Sequence, residues 1–280
     1  MARPFALSPS RARDYLQCPL KFRLAVVDKI PQPTTEAQVK GTVVHEVLER
    51  LFSLPNEGRD AEAAKELLPA AWDKVLQSEP SSGAAFPTLE SLEKAKRDAE
   101  ALVDNYFMLE VPTNLDPVRR EDFLEVRLPS GLALRGVADR IDEAPDGALR
   151  VVDYKTGKAP SLRFMDEALF QMRFYALMLR ESWRLPRRLQ LLYLRSVDVL
   201  TLDPSAEDID RFEDFVFDLW LRIERDARSG HFPPQKSPLC GWCAYQELCP
   251  VFGGTAPQVP ERGISHLLSA REERPAQDSQ

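Results

Sequence analysis

The 280-residue chain has no apolar run near the roughly 20 residues that a membrane-spanning helix needs. Its start, MARPFALSPSRARDYL, shows no apolar stretch followed by a small-residue cleavage site. A cytoplasmic protein without membrane contact is therefore expected. Cysteine is scarce, with only four residues, Cys18, Cys240, Cys243 and Cys249. In a reducing compartment they suit metal ligation better than two disulfides. A GxxxxGK[ST] phosphate loop is missing: the stretch TGKAP (156–160) lacks the upstream glycine and the hydroxyl residue. No ATPase motor is encoded, so any unwinding must come from a separate helicase. Positive charge is not in excess either, with 37 Lys+Arg against 44 Asp+Glu and a net charge of −7. That balance argues against coating nucleic acid through bulk charge, but leaves room for a local basic groove.

What is present describes a globular chain, 44% hydrophobic and 29% charged. Ser8-Pro9 reads as a helix start, with the helix ending near Cys18-Pro19. Helical spacing recurs over 36–54, 57–79 and 88–110, with a turn-rich stretch between the last two. The period then changes. Residues 123–128, 132–141 and 148–154 read as an antiparallel meander divided by PSG and APDG turns. A helix over 165–183, strands over 189–194 and 197–202, and a helix over 209–227 follow. Residues 1–262 are expected to form one domain, with a polar, disordered tail over 263–280.

The most informative stretch is GVADRID followed by LRVVDYKTGK. Asp153 and Lys155 are two apart on a predicted strand and so emerge on one face. A meander brings Asp139 beside Asp153. Two converging carboxylates repel unless they share a cation, and a hard divalent metal resolves that repulsion. The Tyr154 carbonyl is a further candidate oxygen ligand. His45 is a candidate nitrogen ligand that would tilt preference from Mg²⁺ toward Mn²⁺. Lys155 would hold an attacking water or neutralise charge on a phosphoryl oxygen. An isolated Asp-x-Lys is more commonly a solvated ion pair. The apolar run before it, the second Asp and the Thr156-Gly157 turn after it argue for a site. Gln171 and Tyr175 share one helix face just beyond, and Glu125 on the first strand faces the site if its register allows.

Cys240-x2-Cys243-x5-Cys249 gathers three thiols, and Cys18 stands 222 positions upstream of Cys240. One tetrathiolate site clasping the two ends of the chain is expected. Zinc and an iron–sulfur cluster both accept four cysteines, and spacing does not separate them. Arg11, Arg13, Lys21 and Arg23 flank Cys18, while Trp242 and Tyr245 lie inside the Cys loop. These residues either form a basic, aromatic surface for phosphates and unstacked bases or simply cover the metal site and meet solvent.

Four motifs, GTVVHEVLE, GVADRID, VVDYKTG and QMRFY, occur in the order and setting of RecB-family nucleases of the PD-(D/E)XK superfamily, which the chain resembles over roughly residues 8–252. The resemblance implies an α/β fold with a restriction-endonuclease-like core: a mixed central sheet flanked by helices, a helical N-terminal part and a Cys-rich C-terminal loop. It implies that His45, Asp139, Asp153 and the Tyr154 carbonyl bind Mn²⁺ or Mg²⁺, that Asp139, Asp153 and Lys155 are catalytic, and that Gln171 and Tyr175 lie near DNA. Arg11 and Arg13 are expected to join them in DNA binding. The one-plus-three cysteines resemble those of the AddB nuclease domain and of CRISPR-associated RecB-like exonucleases. That resemblance favours a 4Fe-4S cluster on Cys18, Cys240, Cys243 and Cys249 over structural zinc. The expected function is metal-dependent hydrolysis of DNA, as an exonuclease that prefers single strands or free ends in repair or recombination. The alternative is a DNA-binding repair scaffold that cleaves little or not at all.

Overall fold

The computed structural model describes residues 3–78, 80–161 and 165–271. Its centre is a five-stranded sheet: β1 (Pro117–Arg127), β2 (Ala133–Glu143), β3 (Leu149–Lys155), β4 (Arg188–Tyr193) and β5 (Asp198–Leu202), in that spatial order. The first three strands are antiparallel, as the short PSG and APDG turns require. β3 and β4 are parallel, because the 18-residue helix Met165–Ser182 carries the chain back across the sheet between them. β5 returns antiparallel to β4. The sheet is thus mixed, as expected.

Ten α-helices surround it among the described residues: α1 (Pro9–Gln17), α2 (Pro19–Phe22), α3 (Glu36–Leu51), α4 (Ala61–Glu66), α5 (Leu68–Ser78), α6 (Pro80–Ala84), α7 (Leu89–Tyr106), α8 (Met165–Ser182), α9 (Ala206–Ser229) and α10 (Glu261–Leu268). Ser8 caps α1 by accepting the Arg11 N–H, and Thr35 caps α3 reciprocally with Gln38. The expected helix over 57–79 is instead two short helices, α4 and α5, meeting at Leu67. The stretch read as a turn after them contains α6.

Period-two alternation in β3 sorts its side chains into two cores. Leu149 and Val151 pack with α8, α9 and α10, while Val152 and Tyr154 pack with α3, α5 and α7. The tail assignment needs correction, since residues 263–271 are ordered. In α10, Leu267 is buried with Ile264 and Leu268 against the α9 core, and the Ala270 carbonyl accepts the Ala133 N–H at 2.8 Å. Apolar residues at helical spacing outweigh the polar composition of that stretch. Residues 272–280 lie outside the described residues. Leu7 also pairs with the start of β2, so both ends of the chain meet one strand.

Candidate active site

The β2–β3 ladder ends at Arg140↔Val152, one residue short of Asp139 and Asp153. A continued ladder would pair the Tyr154 N–H with a backbone carbonyl. Here that N–H donates to Asp139 Oδ2 at 2.6 Å, and the Tyr154 carbonyl accepts from His45 Nε2 at 3.0 Å. His45 reaches in from α3, with its Nδ1 3.4 Å from Asp139 Oδ1. A single tyrosine backbone thereby ties helix, strand and carboxylate together where two strands part.

On the other side of β3, Asp153 is buried. Its Oδ1 accepts from Gln171 Nε2 at 2.9 Å, and the same amide lies 3.1 Å from the Tyr175 hydroxyl. Both residues are on α8, four apart, as their spacing required. Asp153 Oδ2 is paired with the Lys155 ammonium at 2.5 Å. Gly136 on β2 admits the Tyr175 ring, which would stand 3.2 Å from any Cβ there. An open cavity of about 800 Å³ is lined by His45, Glu121, Tyr154, Lys155, Thr156 and Tyr193, with Gln38 and Gly41 of α3.

The structure brings His45 and Asp139 together with a residue the sequence reading missed, Glu121. These three offer ligand atoms all within 4.8 Å of one another. Glu125, the expected neighbour, instead pairs with Arg3 at 2.6 Å near the hairpin end. The difference comes from the strand boundary: β1 starts at Pro117, six residues before the expected Phe123. The PSG turn held the signal. Counting back from Gly131, the pairs Arg120↔Arg140 and Asp122↔Ala138 put Glu121 opposite Asp139. Glu121 adopts φ +43°, a left-handed conformation that a non-glycine residue takes at an energetic cost.

The electrostatics match this crowding. Burial and the Asp139 charge push Asp153 up to about 6, with Lys155 and His45 opposing, and push Glu121 up to about 7. Burial would lower His45, but the charge and hydrogen bond of Asp139, followed by Asp153 and Glu121, hold it at about 9. Carboxylates that retain protons next to a cationic imidazole signal a site short of positive charge. Oxygen donors of Glu121 and Asp139 with one imidazole, all within 4.8 Å, fit a divalent cation.

A second missed residue lies behind the site. Arg140, only 1% exposed, donates to the Tyr154 hydroxyl at 2.7 Å, to both Glu110 oxygens at 2.8 Å and to Asp142 at 3.0 Å. Burying a guanidinium costs several kcal/mol unless its donors are filled, and here they are.

The cysteines form a second candidate centre. All four line one small cavity of about 30 Å³ between the end of α1 and the loop 234–252. The Gln235 N–H donates to Cys18 Sγ and the Ser237 N–H to Cys240 Sγ, each at 3.3 Å. Buried Leu20, Leu24 and Tyr245 pack beneath, and Tyr245 donates to the Ile30 carbonyl at 2.8 Å. Gly254 closes the loop, since a Cβ there would lie 2.2 Å from the Glu247 carbonyl oxygen. Tyr245 is therefore packing, whereas Trp242 stands 83% exposed.

The expected basic surface is largely occupied. Arg11 donates to the Ala6 carbonyl at 3.1 Å and stacks on Phe5, and burial with the Arg135 charge lowers it to about 10. It does not line the cavity beside His45 and Lys155. Arg23 is buried against Asp28, and Lys21 pairs with Asp14. Arg13 lines a separate cavity of about 400 Å³ between α1, α8 and the loop 235–239, with Gln17, Phe170 and Ser237.

The sequence pattern of the PD-(D/E)XK nuclease superfamily matches residues 6–250. The chain is 24% identical over 271 residues to the gene 69 protein of Mycobacterium phage D29, covering 88% of this chain and 96% of that one. It is 28% identical over 160 residues to a subunit of the ATP-dependent helicase/deoxyribonuclease of Streptococcus equi subsp. zooepidemicus (strain MGCS10565). That match covers 55% of this chain and 14% of the relative. A crystal structure from Eubacterium rectale, named a "putative exonuclease", shares the fold with a TM-score of 0.56 at 15% identity, covering 86% of this chain and 87% of that one.

Proposed function

The chain belongs to the PD-(D/E)XK nuclease superfamily, and from that premise we propose that it is a Mn²⁺- or Mg²⁺-dependent deoxyribonuclease. It acts as an exonuclease on single strands or free DNA ends. The observation that carries the reading is the parting of β2 and β3, beside which Asp139 meets His45 and Glu121, Asp153 meets Lys155, and His45, Glu121 and Lys155 line an open cavity.

Asp139, Glu121 and His45 would hold the metal, with Asp153 and the Tyr154 carbonyl at its edge. When bound, a divalent cation supplies charge stabilisation to the phosphodiester oxygens and a more acidic water. Lys155 orients water and offsets developing negative charge, kept in place by Asp153. Gln171 orients Asp153, and Tyr175 fixes Gln171. Arg13, in the neighbouring cavity between α1, α8 and the loop 235–239, would contact a phosphate further along the strand; Arg11, engaged by the Ala6 carbonyl and Phe5, has no such role.

On the cysteines we infer a 4Fe-4S cluster. All four thiols line one cavity, and their one-plus-three arrangement, which resembles that of iron–sulfur nucleases of this family, favours the cluster over zinc. N–H donors to two of the sulfurs suit a cluster. Such a protein works in the cytoplasm, in DNA repair or recombination. Its streptococcal relative is named a subunit of a helicase/deoxyribonuclease, which supports pairing of this nuclease with a helicase.

The test incubates end-labelled single- and double-stranded DNA with the protein and Mn²⁺ or Mg²⁺, beside Asp153→Ala and Lys155→Ala. Wild type shortens the strands, and each variant loses on the order of 10²–10³-fold in rate or more. Equal cleavage by all three proteins removes the site.

A further inference from the structure

The β1–β2 hairpin extends past the candidate metal site, and its two faces differ. Leu124 and Val126 of β1 turn into the core beside α8, and Gly136 of β2 meets Met178 and Tyr175 of α8. The residues between them face the other way. Phe123 and Val137 are direct cross-strand partners there, and both stand in solvent, 46% and 39% exposed. Each lies two residues beyond a member of the Glu121–Asp139 pair. Two strand residues span about 6.8 Å, so this apolar pair is one pleat away from the acidic one.

Resting on the nuclease reading, we propose that Phe123, backed by Val137, is the stacking platform for the nucleobase next to the scissile phosphate. A phosphate held by a divalent cation at Glu121 and Asp139 would have its flanking nucleotide over the hairpin. An aromatic ring there offers a π-face to any base without reading sequence, and only an unpaired base can lie flat on it. The surroundings fit a nucleotide. The Arg3 guanidinium lies over the Phe123 ring, 4.5 Å from its centroid, and pairs with Glu125 at 2.6 Å, so an incoming base takes the place of the guanidinium on the ring and leaves that cation free to meet a phosphate. Arg135 follows on β2, opposite Glu125. Preference for single strands would then arise at the hairpin, through the base, and not at the metal-binding carboxylates, which meet only phosphate.

The experiment uses a 12-nucleotide single strand carrying 2-aminopurine at successive positions, with Ca²⁺ in place of the hydrolytic metal. Binding and fluorescence are followed for wild type, Phe123→Ala, Phe123→Trp and Arg3→Ala, and the cleaved bond is mapped separately in Mn²⁺. Wild type quenches 2-aminopurine at the position beside the mapped bond. Phe123→Ala abolishes that quench and weakens single-strand binding at least about five-fold, with an unchanged melting temperature, and Phe123→Trp restores both. If Phe123→Ala quenches and binds like wild type while wild type cleaves, the platform is wrong and the nuclease reading stands. Full loss in Arg3→Ala with Phe123 intact assigns the anchor to the guanidinium and overturns the stacking role. Wild type that neither binds nor cleaves DNA removes both readings.

Discussion

The carboxylate site and the cysteine loop are assembled by opposite means. At the first, regular structure does the positioning: a sheet whose ladder stops one residue early, a helix on each side, and backbone hydrogen bonds from Tyr154 to Asp139 and His45. At the second, three 3₁₀ turns and a connecting loop wrap a small cavity, with only Leu20, Leu24 and Tyr245 buried beneath it. Where regular structure sets the ligands, strand register and backbone hydrogen bonds fix their geometry. Where the thiols are carried by loops, their order would depend on the proposed cluster.

That contrast is most directly broken at the cysteines. Cys18→Ala or Cys243→Ala should lose visible absorption and lower the melting temperature by roughly 5–15 °C, equivalent to about 2–4 kcal/mol by analogy with other cross-links over long loops. Complete unfolding is not expected, because Leu7 and Ala270 also tie the two chain ends to β2. A variant with wild-type melting and activity would show that the loop holds itself.

A smaller effect tests whether the carboxylate site is preformed and charge-strained. In metal-free protein, folding raises Asp153 from 3.8 to about 6, Glu121 from 4.5 to about 7 and His45 from 6.5 to about 9. The folded state then binds more protons than the unfolded one throughout that range, so these groups make stability fall as pH rises from about 4 to 9. Glu121→Gln should flatten the fall between pH 4.5 and 7, read as melting temperature against pH in EDTA. An unchanged slope would separate Glu121 from the other carboxylates.

The smallest expected effect sharpens the role of the buried arginine. Tyr154→Phe removes one hydrogen bond from Arg140 and keeps the backbone that meets Asp139 and His45. A loss of about 1 kcal/mol, or roughly 2–4 °C, is expected, with Mn²⁺ affinity in titration calorimetry nearly retained. A large loss of affinity at constant stability would mean that the ring orients the site.

Much of the site could be read in advance because its residues are local in sequence. Asp153 and Lys155 share a strand face by parity, Gln171 and Tyr175 share a helix face by spacing, and a meander brings Asp139 to Asp153. Glu121 was not found, because placing it needed the start of β1, and strand ends carry little local signal. Arg140 was hidden by its charge: hydropathy assigns a guanidinium to the surface, whereas Glu110, Asp142 and two phenols together accommodate it inside. Composition likewise misassigned α10, whose few apolar residues have a ready-made core beside α9 to enter.

From the sequence alone came the kinds of element, their order, the absence of a motor motif, and the residue types able to hold a divalent ion. Periodicity and chemical type suffice for those properties, because each depends on near neighbours. Tertiary structure decided which carboxylate joins His45 and Asp139, that Arg11 and Arg23 are engaged by their own neighbours, and that Phe123 lies half-exposed beneath Arg3 one pleat from Glu121. Those outcomes depend on strand register and on which face a neighbouring element leaves open, and both are settled only when distant segments pack.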